Sequence, residues 1–95
     1  MIVISDTTAI STLLQVGEIE MLKKLFSSIV IPRKVFDELL VLAKLGVDVS
    51  PLSSADWLEV RSPNISHILL LLNSLLDEGE ANAIALAVEL KADLL

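Results

Sequence analysis

Short, wholly apolar runs alternate along this chain with longer stretches in which apolar residues recur every three or four positions. Ile2-Val3-Ile4 and Ile29-Val30-Ile31 are β-favouring runs without polar interruption, as expected of strands covered on both faces. Leu58-Glu59-Val60-Arg61 alternates instead, the pattern of an edge strand. Ala9 to Val16 reads as a helix ending at Gly17, with Thr7 or Thr8 as its N-cap. Glu18 to Phe26 reads as a second helix, with Ile19, Leu22, Leu25 and Phe26 at helical spacing, broken by Ser27-Ser28. Pro32 suits the first turn of a third helix, which runs to about Leu45 and stops at Gly46. Val47 to Ser50 connects this helix to a capped helical turn at Ser53 to Trp57. After a turn at Ser62-Pro63-Asn64, Ile65 to Leu76 and Gly79 to Lys91 are helical, the second rich in Ala. Leu94-Leu95 begins a fourth strand.

Strands alternating with helices in this order predict an α/β fold: a short parallel central sheet between helical layers, with right-handed crossovers. The 95 residues make a single domain, 1–95. Hydrophobic residues are 54% of the chain and the mean hydropathy is +0.74. A small monomer needs less, so an apolar surface for a second copy or another partner is expected. A membrane is not: the run Ile68 to Leu72 is interrupted by Asn73-Ser74, whereas a span needs roughly 20 apolar residues. The N-terminus shows no basic region followed by a long apolar core, as a secretory leader would. The absence of Cys excludes disulfides and thiolate metal sites, and cytoplasmic residence is the expectation. A net charge of −6 opposes broad electrostatic binding of nucleic acid. It does not oppose a local site where cations offset the acids.

Three acids stand out by position. Asp6 follows the first apolar run, and in open α/β sheets ligands bind outside the carboxyl ends of strands. On the helix after Pro32, at about 100° per residue, Val35, Leu39 and Leu42 form the buried stripe. Asp37 points away from that stripe, whereas Glu38 sits at its edge, one turn after Lys34. On the last helix Glu78, Asn82, Glu89 and Asp93 define a narrow polar face. Glu80 falls opposite, in line with Ile84, Ala87 and Val88, where a lone charge is costly. Asp77 is a rival if that helix begins early. If Asp6, Glu38 and Glu80 converge, they need a cation to remain ionised together. An all-oxygen carboxylate set suits Mg²⁺ or Mn²⁺, and such sites perform phosphoryl chemistry.

Each acid also has a plainer role open to it. Asp6 can cap a helix, Glu38 can pair with Lys34, and Glu80 can face a helix dipole. The case for a site rests on the three together. His67, alone at a helix start, reads as structural, and Trp57 as a core or interface anchor. Arg33 and Lys34, like Lys23-Lys24, read as solvated charges. The alternative for Arg33 and Lys34 is to flank the acid pocket and contact phosphate.

Three blocks carry a family resemblance: Val3-Ile4-Ser5-Asp6-Thr7-Thr8; Ile29-Val30-Ile31-Pro32 with Val35 and Glu38-Leu39; and Leu76-Asp77-Glu78-Gly79-Glu80-Ala81 with Ala83 to Ala87. In order and spacing the chain resembles a PIN domain, the nuclease fold of toxin–antitoxin toxins and RNA-processing factors. It is most similar to the VapC-like prokaryotic toxin subgroup. The resemblance implies a three-layer α/β/α sandwich and metal-dependent endoribonuclease activity. Asp6, Glu38 and Glu80 would be catalytic metal ligands for Mg²⁺ or Mn²⁺, with the hydroxyl of Thr7 or Thr8 supporting them. RNA would be the substrate and an antitoxin protein a partner. The family pattern continues beyond Leu95 through a completed strand to a further acid. By that likeness the last strand and helix and one ligand are missing, and activity would be weak or absent. The alternative function is a non-catalytic PIN-like module that oligomerises or binds a partner. A phosphotransfer domain with Asp6 as nucleophile ranks lower, because no second Asp follows two residues on and no Lys ends a late strand.

Overall fold

A computed structural model describes residues 2–94. Its elements follow the order β1 (Val3–Ile4), α1 (Thr7–Gln15), α2 (Glu20–Phe26), β2 (Ile29–Pro32) and α3 (Arg33–Val41). A 3-10 turn (Leu42–Leu45), α4 (Ser50–Ser53), β3 (Leu58–Arg61), α5 (His67–Leu75), α6 (Glu78–Leu90) and β4 (Asp93–Leu94) complete it. The expected α/β fold is present: the four strands form one parallel sheet in the order β3-β2-β1-β4.

The period-two geometry of β2 divides the core. Ile29 and Ile31 face a cluster built from Ile10 and Leu14 of α1, Leu22 of α2, Val35 and Leu39 of α3, and Leu52 and Trp57. Val30, between them, faces the opposite way with Ile4, onto Ala83, Leu86 and Ala87 of α6. Both faces of the sheet are therefore covered, which is why its strands carry no polar alternation except at the edge. There, β3 alternates half-buried Leu58 and Val60 with exposed Glu59 and Arg61. Trp57 is buried in the first cluster as a core residue.

Helix α5 does not pack on the sheet. It lies over α6 through Leu69, with Leu72 and Leu76 half-buried, against Ala81 and Ala85. This leaves Ile68, Leu70, Leu71 and Leu75 exposed, and they account for part of the high hydropathy. No helix among the described residues is long and apolar enough to cross a membrane.

Several boundaries differ from expectation for local reasons. Asp6, not Thr7 or Thr8, caps α1; its Oδ1 accepts the N–H groups of Thr8 at 3.1 Å and Ala9 at 3.5 Å. Pro32 ends β2 and stands just before α3, in extended conformation, rather than inside the helix. The short helical turn is Ser50–Ser53, not Ser53 to Trp57, because Asp48 accepts the Ser50 N–H at 3.0 Å and turns the chain earlier. Asp93 does not precede the last strand; it lies in β4, opposite Val3. Leu95, the second residue of the expected fourth strand, lies outside the described residues.

Candidate functional site

The strand order places a crevice. From β1 the chain moves through β2 to β3 on one side, then returns to lay β4 against the other side of β1. The boundary between β1 and β4 is thus the topological switch point, where neighbouring connections depart to opposite faces and ligands bind at the strands' carboxyl ends. Asp6 stands just beyond β1 at this end. A cavity of about 210 Å³ opens there, lined by Asp6, Leu76, Glu80, Ala83, Ile84 and Leu94.

Glu38 reaches the same region from α3. Its Oε2 accepts a hydrogen bond from Thr7 Oγ1 at 2.7 Å. Its carboxylate also occupies the space where a side chain on Gly79, in the first turn of α6, would begin. The plainer alternative for Glu38, a pair with Lys34, is not made. Lys34 Nζ instead bonds Glu78 Oε2 at 3.1 Å, an exposed ion pair linking the starts of α3 and α6, worth ~0–1 kcal/mol. Arg33 lies over the Phe36 ring, 5.6 Å from its centroid.

Asp77 is the cap of α6, with Oδ1 accepting the Glu80 N–H at 2.9 Å. That role keeps it beside Glu80. The Glu80 carboxyl is held above the ordinary carboxylate range, chiefly by the Asp77 charge. Partial desolvation, a hydrogen bond with Asp77, and the Asp6 and Glu38 charges add to this. Four acids, from the starts of α1 and α6 and the body of α3, therefore share one field. Glu80 is nevertheless exposed, and Asn82, expected on the polar face, is buried. The reason is that α6 packs on two sides, the sheet and α5. The buried amide satisfies itself by donating Nδ2 to the Glu78 carbonyl at 2.7 Å. Glu80 thus avoids burial among apolar groups by facing the crevice mouth.

Repulsion in this field has a testable sign. A raised carboxyl pKa means that the folded state binds a proton more readily than the unfolded chain, so stability falls as pH rises through that range. Glu80→Gln removes the repulsion. It is expected to raise the melting temperature slightly at neutral pH, and the gain should vanish as acid protonates Glu80 in the parent chain. Melting curves across pH check this; screening by water keeps the effect small.

Among the described residues, no three acidic or histidine side chains stand close enough to form a ready-made metal cage. Mutually repelling carboxylates have no cause to close without a cation between them. Chemically, the donor set fits a hard divalent ion: all oxygen, anionic, with no thiolate and no nearby imidazole.

Compared with known families, residues 2–95 match the family model described as PIN domain. The chain belongs to the PIN-domain family. No curated protein and no solved structure gives a significant match. In this PIN domain the family's nuclease-type character and general dependence on divalent metal agree with acids gathered at the switch point. The sequence places Gly79 in the third block of the resemblance and at a helix start, without giving it a role. The available signal was a glycine in a helical first turn, where the backbone does not require one.

Proposed function

We propose that the protein is a Mg²⁺- or Mn²⁺-dependent endoribonuclease of the toxin type, in which Asp6, Glu38 and Glu80 are the catalytic carboxylates and metal ligands. The observation that carries this reading is the switch-point crevice, where the acids Asp6 and Glu80 line one cavity and Glu38 is hydrogen-bonded to Thr7, the residue next to Asp6. Such excess negative charge is relieved most effectively by a divalent cation. When bound, that cation activates water and offsets charge developing on phosphate oxygens.

The chain's own residues do the positioning. Asp6 is oriented by the N–H groups of Thr8 and Ala9, and Glu38 by the Thr7 hydroxyl. Lys34, held beside the acids by Glu78, and Arg33 on the same helical turn are the cations proposed to meet RNA phosphates. With an overall charge of −6, such phosphate contacts would be local rather than spread over the surface. Exposed apolar residues of α5 favour a protein partner, an antitoxin or a second copy. They equally support the alternative reading of a non-catalytic interaction module. We place the activity in the cytoplasm.

The test is incubation of a single-stranded RNA with the protein and Mn²⁺, with and without excess EDTA. The nuclease reading expects cleavage that EDTA abolishes. Cleavage surviving EDTA would overturn the metal role. No cleavage alongside a stable dimer or partner complex would favour the interaction module.

A further inference from the structure

Gly79 sits in the first turn of α6 and is buried. It is not among the glycines with positive φ, which are Gly17 and Gly46. An ordinary helical conformation gives no backbone reason for glycine, and glycine weakens a helix by about 0.5–1 kcal/mol relative to Ala in interior positions. The structure supplies a reason in space instead: the three atoms nearest to where a side chain would begin all belong to Glu38. A Cβ placed on Gly79 would meet Glu38 Oε1 at 2.6 Å, Oε2 at 3.0 Å and Cδ at 3.1 Å. On its other side the same carboxylate takes the Thr7 hydroxyl at 2.7 Å. Helices α1, α3 and α6 thus meet at one carboxylate.

We infer that Gly79 is a positioning residue: its missing side chain is the seat that holds the Glu38 carboxylate against Thr7 and toward Asp6 and Glu80. The consequence for metal rests on the proposed role of Glu38 as a ligand; the seat itself does not. Adding one methyl pushes away the flexible end of Glu38, which leaves the fold intact but detaches the carboxylate from Thr7. The added group acts on geometry alone, since it changes no charge.

Two measurements test this on the full chain. In metal-free buffer, Thr7→Val should lower the melting temperature in the parent protein and have no effect in Gly79→Ala, because the bond it removes is already broken. An equal loss in both backgrounds overturns the seat. In calorimetric titration with Mn²⁺, Gly79→Ala should bind ~10–100-fold more weakly than the parent, the usual cost of losing a partner that orients a ligand. Adding Glu38→Asp to Gly79→Ala shortens the acid by one methylene and should recover part of that loss, although Glu38→Asp alone weakens binding. Parent and Gly79→Ala binding Mn²⁺ equally would overturn the seat's role in metal binding. If the parent binds no Mn²⁺, the metal reading of Glu38 fails, and the seat is decided by the melting comparison.

Discussion

Asp6→Asn is expected to reduce Mn²⁺-dependent RNA cleavage by more than about 100-fold, beyond the ~10–100-fold that losing an outer hydrogen-bonding partner costs a metal site. The same variant should melt almost where the parent does. Asp6 has two roles that this substitution separates. As the cap of α1 it accepts the N–H groups of Thr8 and Ala9, and Asn caps a helix about as well as Asp. As a carboxylate at the switch-point crevice it supplies negative charge that Asn lacks. Asp6→Ala removes both roles and should add a stability loss of ~1 kcal/mol. Cleavage assays and melting curves on the two variants check this. Asp6→Asn losing stability while keeping activity would mean that Asp6 is only a cap.

Ile31→Ala is expected to have the largest effect on stability, ~2–5 kcal/mol. Ile31 is fully buried on β2, a strand with neighbours on both sides. It packs in the cluster that joins α1, α2, α3 and the segment from Leu52 to Trp57. Those elements come from across the first 57 residues, so the cavity cannot close by moving one helix. Single domains are typically stable by only about 5–15 kcal/mol, which makes this loss a large fraction of the whole. Denaturant unfolding measures it as a lower midpoint. A midpoint equal to the parent's would show that Ile31 does not hold together the cluster of α1, α2 and α3 described. Leu71→Ala, on the exposed side of α5, is the control and should change the midpoint little.

The contrast between these positions shows which features can be read from a linear pattern. Ile29 to Ile31 and Leu58 to Arg61 were legible as strands because burial on two faces or one imposes a run or an alternation. The helical stripe of Val35 and Leu39 was legible for the same reason. The span of helix α6 was legible but its buried faces were not, since a wheel assumes one buried side and this helix is covered by both the sheet and α5. Its many alanines were the available sign of close packing all round. Asn82 was consequently placed on the polar face, and Glu80 among apolar groups, when the reverse holds. The cap of α1 was ambiguous among Asp6, Thr7 and Thr8, all capable acceptors. Long-range pairing resolves it, because Thr7 is engaged by Glu38, 31 residues away.

For the candidate site, Asp6 could be picked from a strand end and Glu38 from a helix face, whereas the helix-face argument for Glu80 failed and it lies beside the crevice for another reason. Their common location could not be picked, because it depends on β4 crossing to the far side of β1. Nor could the contact between Glu38 and Gly79, which joins helices nearly half the chain apart. Glycine at an ordinary helical φ is the kind of local inconsistency that marks a packing demand made from elsewhere.

The carboxylates around Asp6 are proposed to bind a divalent cation as one site. Calorimetric titration of Mn²⁺ into the parent chain and into Asp6→Asn, under identical buffer and salt, tests this most directly. Saturable binding by the parent that is lost in Asp6→Asn is the predicted result. Equal binding by both proteins, or none by the parent, would contradict it.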